Sequence, residues 1–97
     1  MKGEMFMYKN LEEFKKDYYP SKEYMERYAL ENVMRYHCNY KCITRYTNAL
    51  IRAGIDNIEK FINADIDDIL KVNHIGEKGI EELMKVRMYI KHSVEEL

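Results

Sequence analysis

The stretch VNHIGEKGIEEL, residues 72–83, carries the most informative pattern in this sequence. It places two of the four glycines around a lysine, where a polar segment gives way to an amphipathic helix. A short helix ending near Val72, a turn with one apolar residue and a glycine, and a second helix form a helix–hairpin–helix pattern. We expect Ile75 to lie between the two helices. Gly76 is expected to allow backbone geometry or a close approach that a side chain would prevent.

The start of the second helix in this pattern has the chemistry of a phosphate site. The first N–H groups of a helix have no partner inside the helix, and the helix dipole favours an anion beside them. We therefore expect the amides of residues 76–79 to point outward, with Lys78 adding a positive charge. The alternative is that the glycines only let two helices pack, and that Lys78 is a solvated surface residue.

The composition describes one small domain. The protein has 97 residues, of which 46% are hydrophobic and 34% charged, so it can build a core and keep a polar surface. No apolar run approaches the roughly 20 residues of a membrane helix. The start, MKGEMFMYKN, lacks the features of a signal peptide. We expect a cytoplasmic protein with no membrane partner. Its net charge of −1 means that any nucleic-acid binding must come from a local site.

The scarcity of glycine and proline and the lack of alternating apolar and polar residues predict an all-α fold, a compact bundle of short helices. Thr44 is the expected cap of a helix over RYTNALIRA, which stops at Gly54 with Ile55 packing back onto it. Two very short helices, NIEKFI and IDDILKV, follow. Capping boxes are predicted for them at Asp56 with Glu59 and at Asp65 with Asp68.

The last helix is expected to start near Glu77 and to bury one stripe of its surface. Arg87 falls within that stripe, so either the stripe is partly exposed or the guanidinium reaches outward. The apolar residues of the stripe are Ile80, Leu83, Val86, Ile90 and Val94.

Residues 1–41 are predicted to form a tyrosine-rich helical extension, and residues 42–97 the main domain. Asn10 would cap a short helix that ends before Pro20, and Ser21 a second helix that runs to about Cys38. One face of that second helix needs a partner, from the main domain or from another protein molecule. The face consists of Met25, Ala29, Val33 and Tyr36.

Residues 44–83, TRYTNALIRAGIDNIEKFINADIDDILKVNHIGEKGIEEL, resemble the C-terminal domain of the bacterial RNA polymerase alpha subunit. The shared elements, in the family's order, are an Arg-x-x-Asn-x-Leu helix, an Arg-Ala-Gly-Ile stop, the NIEKFI helix, the acidic start of DIDDILKV, and Ile-Gly-x-Lys before Glu-Glu-Leu. The resemblance implies short helices that bind the minor groove of A/T-rich double-stranded DNA and offer a surface to transcription activators.

The resemblance also implies roles for individual residues. Arg45 and Asn48 match the family's minor-groove arginine and its neighbouring asparagine. Gly76 and Lys78 match the glycine and lysine that bind the DNA backbone. Glu82 matches a glutamate on the family's last helix and is a candidate contact for a partner protein. An arginine inserted into a narrow A/T-rich groove reads its negative potential, so this assignment is physically reasonable.

Three positions depart from the family pattern. Ala49 stands where a member of the family has cysteine. Gly79 replaces a serine whose hydroxyl would assist at the phosphate, although its backbone amide is kept as a candidate DNA contact. Glu77 stands where many members have a basic residue, and its charge repels phosphate. We expect weaker DNA binding than in the polymerase domain.

Other chemistry has little support in the sequence. A zinc site usually takes paired ligands from two clusters, whereas His37, Cys38 and Cys42 are joined only by a lone His74. We predict reduced thiols and no metal, cofactor or catalytic set. The tyrosines of residues 18–40 are able to stack on single-stranded bases, but their helical spacing favours packing in a core or an interface.

The sequence therefore predicts a non-enzymatic, free-standing, transcription-associated protein that binds DNA. RNA polymerase or a transcription factor is the expected protein partner, and the extension is a candidate homodimer or docking element. One alternative is a module that docks on those proteins without touching DNA, which the near-neutral charge favours. A third is a generic helix–hairpin–helix DNA binder that is indifferent to A/T content.

Overall fold

The computed structural model describes residues 6–19, 26–38, 40–73 and 75–97. Within these ranges the chain forms helices joined by turns and short loops. No strand occurs in the described ranges, and the one β-type pairing there is an isolated parallel bridge between Tyr8 and Val94. A single 3₁₀ turn, Tyr40–Cys42, precedes α3. The helices are α1 Leu11–Lys16, α2 Glu26–His37, α3 Ile43–Arg52, α4 Ile58–Asn63, α5 Ile66–Leu70 and α6 Gly76–Ser93.

The predicted helix–hairpin–helix is formed by α5, the following turn and α6. Ile75 is 4% exposed at the end of the turn, as expected of a residue wedged between two helices. Along α6, Leu83, Val86 and Ile90 are fully buried, whereas Ile80 is only half-buried. The apolar period of the last helix therefore correctly identifies most of the side of α6 that faces the core.

The end of α3 confirms the predicted glycine stop. Gly54 has φ +89°, a conformation that side chains disfavour. Its amide donates to the Ile51 carbonyl at 3.0 Å, and the Ile55 amide donates to the Leu50 carbonyl at 2.8 Å. This pair of bonds is a Schellman motif, and the side chain of Ile55 is buried beside it.

The extension packs on the main domain and shares its core. Asn10 caps α1 by accepting a hydrogen bond from the Glu13 amide at 2.9 Å, as predicted. Phe14 is fully buried, in the same core cluster as the apolar residues of α2, α3 and α6. Helix α2 lies against both α3 and α6. The radius of gyration, 13.1 Å, matches the roughly 13 Å expected for a compact domain of this length.

Two of the predicted helix starts are wrong, that of α3 by two residues and that of α4 by one. α3 begins at Ile43, which is 3% exposed, so burial of Ile43 places Thr44 inside the helix rather than at its cap. α4 is capped by Asn57, whose side chain accepts from the Lys60 amide at 2.7 Å, and not by Asp56. Asp56 instead forms an ion pair with Lys60 at 2.9 Å.

The start of α5 lies where it was predicted, but the capping box is absent. Asp65 occupies the cap position of α5, and its carboxylate makes no capping bond. The Asp68 amide donates to the backbone carbonyl of Asp65 instead, at 3.0 Å. The sequence pattern therefore predicts the position of this helix but not which groups accept hydrogen bonds from the N–H groups of its first turn.

The predicted face of α2 is partly wrong. Ala29 and Val33 are buried as expected, but Tyr36 is 73% exposed. Leu30 and Met34, both fully buried, complete the face that meets the domain. The predicted Ser21 cap and the Met25 position lie outside the described residues.

Arg87 is buried in the interior rather than reaching outward. It is 7% exposed, and its Nη2 donates to the Ile62 carbonyl of α4 at 3.1 Å. A carbonyl at the end of α4 therefore accounts for a charged residue inside an apolar stripe. Among the residues that the structure describes, no helix combines the length and apolar character needed to span a membrane.

Candidate nucleic-acid interface

The first turns of α3 display the two residues predicted to enter the groove. Arg45 and Asn48 are both exposed, one turn apart. The guanidinium carbon of Arg45 lies 5.8 Å from the centroid of the Tyr46 ring, and Nη2 donates to the Cys42 sulfur at 3.6 Å. No ion pair ties Arg45 to a carboxylate within the described part of the protein. Its charge is therefore available to an external anion.

At the start of α6, the cap residue provides no polar side chain. The cap residue, Ile75, is apolar and buried and makes no capping bond through its side group. Gly76 has φ +77°, and a methyl group there would meet no atom within 4 Å. Lys78 is exposed on the first turn. The early amides of α6 and the Lys78 ammonium thus offer an anion both hydrogen-bond donors and positive charge. His74 lies outside the described residues.

Gly79 has a packing role that the sequence did not reveal. It is buried, and a Cβ at this position would lie 2.8 Å from Cε1 of the Tyr46 ring and would also clash with Ile75 Cγ2. Such a separation from a ring is far below ordinary van der Waals contact. The absence of a side chain at Gly79 is therefore what lets the Tyr46 ring lie against α6.

The Tyr46–Gly79 contact brings two of the predicted site segments together. One edge of the Tyr46 ring touches the first turns of α6, and Arg45 lies within cation–π range of the same ring. The segment carrying Arg45 and the segment carrying Gly76, Lys78 and Gly79 are thus separated by a single aromatic residue. Asn48 follows one turn later on α3.

The hydroxyl of Tyr46 is held by polar groups from both sides of this contact. Burial raises the pKa of Tyr46, and hydrogen bonds with Cys42 and Glu82 raise it further. The hydroxyl therefore stays protonated at physiological pH. Glu82, predicted as a protein contact, is half-buried and serves here as a hydrogen-bond partner of Tyr46.

Glu77 is exposed in the first turn of α6, immediately before Lys78. Its carboxylate stabilises the helix start through the helix dipole. The same charge opposes the approach of a phosphate to this turn.

The thiols and the aromatic residues of the extension lie mainly in packed surroundings. Cys38 is half-buried, and burial raises its pKa to about 11, so the thiol stays protonated. His37 lies 4.0 Å from the Tyr89 ring, centroid to centroid. In the described ranges, no three histidine, cysteine or acidic residues form a group that could hold a metal ion. Phe14 and Tyr18 stack on one another at 4.8 Å.

A comparison with protein-family models gives a match over residues 44–97. The matching model describes the C-terminal domain of the alpha subunit of bacterial RNA polymerase. The match extends over α3 to α6 and more than half of the protein. No solved structure matches the sequence.

Proposed function

Because the protein belongs to the family of C-terminal domains of the bacterial RNA polymerase alpha subunit, we propose that its residues 44–97 bind the minor groove of A/T-rich double-stranded DNA. The family is a non-catalytic, transcription-associated domain of a DNA-binding type. The observation that carries the proposal is the contact of Tyr46 with Gly79, which holds the turn bearing Arg45 beside the uncapped start of α6.

In this proposal, Arg45 enters the groove and Asn48 contacts its wall. An A/T-rich groove is narrow and strongly negative, so a guanidinium without a carboxylate partner is most strongly attracted there. The backbone amides of the first turn of α6, residues 76–78, and the ammonium of Lys78 bind the flanking phosphates. The amide of Gly79 is not included, because Gly79 is buried against the Tyr46 ring and, as the fourth residue of α6, donates its N–H within the helix. With only two charged contacts, from Arg45 and Lys78, binding is modest, and the affinity falls roughly tenfold between about 50 and 200 mM salt.

The test is a titration of short A/T-rich and G/C-rich duplexes, followed by fluorescence anisotropy at about 50 and 200 mM salt. Wild type is expected to prefer the A/T-rich duplex. Arg45→Ala should lower the affinity for the A/T-rich duplex about tenfold or more. Lys78→Ala should reduce the slope of log affinity against log salt concentration by about one. Arg52→Ala is the matched control, because Arg52 is also exposed on α3 but lies in its last turn, away from Tyr46.

A second function is favoured by one observation, the exposed Glu77 beside Lys78 together with the net charge of −1. In this alternative, the domain docks on RNA polymerase or a transcription factor and does not touch DNA. The absence of binding to any duplex at about 50 mM salt would support it. Equal binding to A/T-rich and G/C-rich duplexes would instead indicate a generic helix–hairpin–helix mode.

For the whole protein, we propose a non-enzymatic role alongside the transcription machinery in the cytoplasm. Residues 1–41 act as an extension of the domain at 42–97 and as a contact for a second copy or a partner. The exposed Tyr36 on α2 supports this role, because large aromatic residues are enriched at interfaces. Sedimentation of wild type and of Tyr36→Ser tests it: a dimer that the substitution weakens is expected, and a wild-type monomer at all concentrations refutes self-association.

A further inference from the structure

Arg87 in α6 is a buried cation whose hydrogen-bonding capacity is only partly used. It is 7% exposed, and Nη2 donates to the Ile62 carbonyl at 3.1 Å. The second terminal nitrogen, Nη1, is buried and has no hydrogen-bond partner. No ion pair to Arg87 occurs within the described ranges. A guanidinium is a cation with five N–H donors and no acceptor, so this residue has an unmet need for an anionic acceptor.

Arg87 lines two adjoining clefts between α5 and the second half of α6. The first cleft has a volume of about 270 Å³ and is lined by Ile66, Met84, Arg87, Met88, Lys91 and His92. The second, of about 510 Å³, is lined by the segment 62–67 together with Arg87. The first cleft is smaller than the roughly 300 Å³ at which sites for drug-sized molecules begin, so it suits one or two side chains.

The lining of the first cleft specifies the chemistry of its occupant. Ile66 and Met88 are 57% and 61% exposed, which is unusual for large apolar residues and favours an apolar contact. Every charged or titratable residue of this lining, Arg87, Lys91 and His92, is basic. The acidic residues Asp65 and Asp67 line only the second cleft and repel an anion from that side.

We propose that this cleft binds a peptide segment of a partner protein in which a carboxylate residue is flanked by aliphatic residues. Nη1 has no accessible surface in the free protein, so in the bound state the Arg87 guanidinium turns toward the cleft and donates from Nη1 to the carboxylate, with Lys91 adding attraction at the rim. The aliphatic groups cover Ile66 and Met88. At 1.5 Å per residue, Arg87 lies about 14 Å further along α6 than Lys78, so the cleft is separate from the proposed DNA contacts. The proposal stands whether or not the domain binds DNA.

The test uses three capped peptides and isotope-labelled full-length protein. The acidic probe is acetyl-Gly-Leu-Glu-Leu-Gly-amide, and its isostere has Gln in place of Glu. The third peptide, acetyl-Gly-Ala-Glu-Ala-Gly-amide, keeps the charge and loses the aliphatic groups. The acidic probe is expected to bind roughly tenfold more tightly than the Gln peptide, the effect of one charge-assisted hydrogen bond. Amide shifts are expected to concentrate on residues 84–92.

Variants assign the effect to the cleft. Arg87→Met keeps an apolar residue of similar length, and it should abolish the preference for Glu over Gln while leaving DNA binding unchanged. Lys91→Gln and Ile66→Ser change exposed residues, and each should lower the affinity for the acidic probe several-fold. The test therefore remains decisive if Arg87→Met fails to fold. Lys85→Gln is the matched control, because Lys85 is exposed on α6 and does not line the cleft.

Equal affinity for the Glu and Gln peptides would overturn the proposal, as would no binding at millimolar peptide. Shifts that map to α3 instead of residues 84–92 would do the same. If dilution of the protein alone shifts the amides of residues 84–92, the cleft belongs to an interface between copies, which also contradicts a partner peptide.

Discussion

The ring of Tyr46 in α3 covers the place where a side chain at Gly79 in α6 would lie. The separation between that position and Cε1 of the ring is 2.8 Å, and Ile75 Cγ2 is nearer still, so any larger residue at 79 must displace the ring, the Ile75 side chain or the helix. Because Arg45 lies beside the same ring, a shift of Tyr46 also shifts the neighbouring candidate DNA contact. The geometry of the candidate interface thus depends on the smallest residue available at position 79.

Gly79→Ala is expected to destabilise the domain. Helix propensity alone favours alanine by up to about 1 kcal/mol, whereas overpacking typically costs about 1–3 kcal/mol. We expect the overpacking to dominate, and urea denaturation measures the net sign. The substitution in a Tyr46→Leu background should cost less, since the clash with the ring is gone, although the clash with Ile75 Cγ2 remains. A more stable Gly79→Ala protein would show that the contact is loose.

Gly76→Ala and Gly54→Ala form a matched pair. Both glycines have positive φ, and in both a methyl group would meet open space, so only backbone strain opposes the change. Each substitution is expected to cost about 1–2 kcal/mol in the free energy of unfolding. Gly76→Ala should in addition weaken binding to the A/T-rich duplex, because it places a methyl group where a phosphate approaches. Equal DNA affinity of the two variants would remove Gly76 from the interface.

Asn57→Ala should cost about 1 kcal/mol of stability, because it removes the amide oxygen that accepts from the Lys60 backbone N–H. Asp65→Ala is the control, since the Asp65 carboxylate makes no capping bond and loses only a favourable interaction with the helix dipole. Thermal or urea unfolding distinguishes them. Equal losses for both variants would argue against the Asn57 bond as the dominant contribution.

The stability of the protein should depend on His37 at mildly acidic pH. Burial lowers the pKa of His37 in the folded state, and its Nε2 has no partner. The unfolded protein therefore binds the proton more readily, and the stabilisation from neutral His37 is lost as pH falls below the unfolded pKa of about 6.5. His37→Phe keeps an aromatic ring against Tyr89. The unfolding free energy of wild type should fall more than that of this variant between about pH 7 and 5, and parallel curves would contradict the assignment.

Glu77→Lys should strengthen DNA binding. The change removes an exposed carboxylate next to Lys78 and adds a cation at the start of α6, so the salt slope should steepen by up to about one. Stability should fall by a few tenths of a kcal/mol, because a lysine is unfavourable at a helix start. Glu81→Lys, at an exposed position one turn later, is the control. If both variants bind DNA equally, the effect comes from net charge and not from the position of Glu77.

Local signals in the sequence predicted the helices well. The glycine stop at Gly54 is confirmed because a left-handed residue followed by an apolar one is a complete local signal. The cap of α4 was misassigned because Asp56 and Asn57 are both good capping residues. In the structure the Asn57 side chain makes the capping bond, and the helix begins at the fully buried Ile58.

Contacts between distant residues were beyond the same reasoning. The partner of Arg87 is a backbone carbonyl on α4, and every residue carries a carbonyl, so composition gives no signal for it. The packing role of Gly79 depends on the Tyr46 ring on another helix. From the sequence alone, Gly79 is visible only as a position where the family has serine. The residues of the candidate interface were identified by family resemblance, whereas the ring that joins them became visible only in the fold.

The bridge between Tyr8 and Val94 has a consequence for the order of folding. The Tyr8 amide donates to the Ser93 carbonyl at 3.0 Å, and the Glu95 amide donates to the Tyr8 carbonyl at 2.9 Å. These bonds close a loop of about 85 residues, whose ends meet only after a large loss of conformational entropy. The hairpin of α5 and α6 needs no such closure. We expect this hairpin to form early. The docking of the segment around Tyr8 onto the end of α6 is expected to be the last and slowest step.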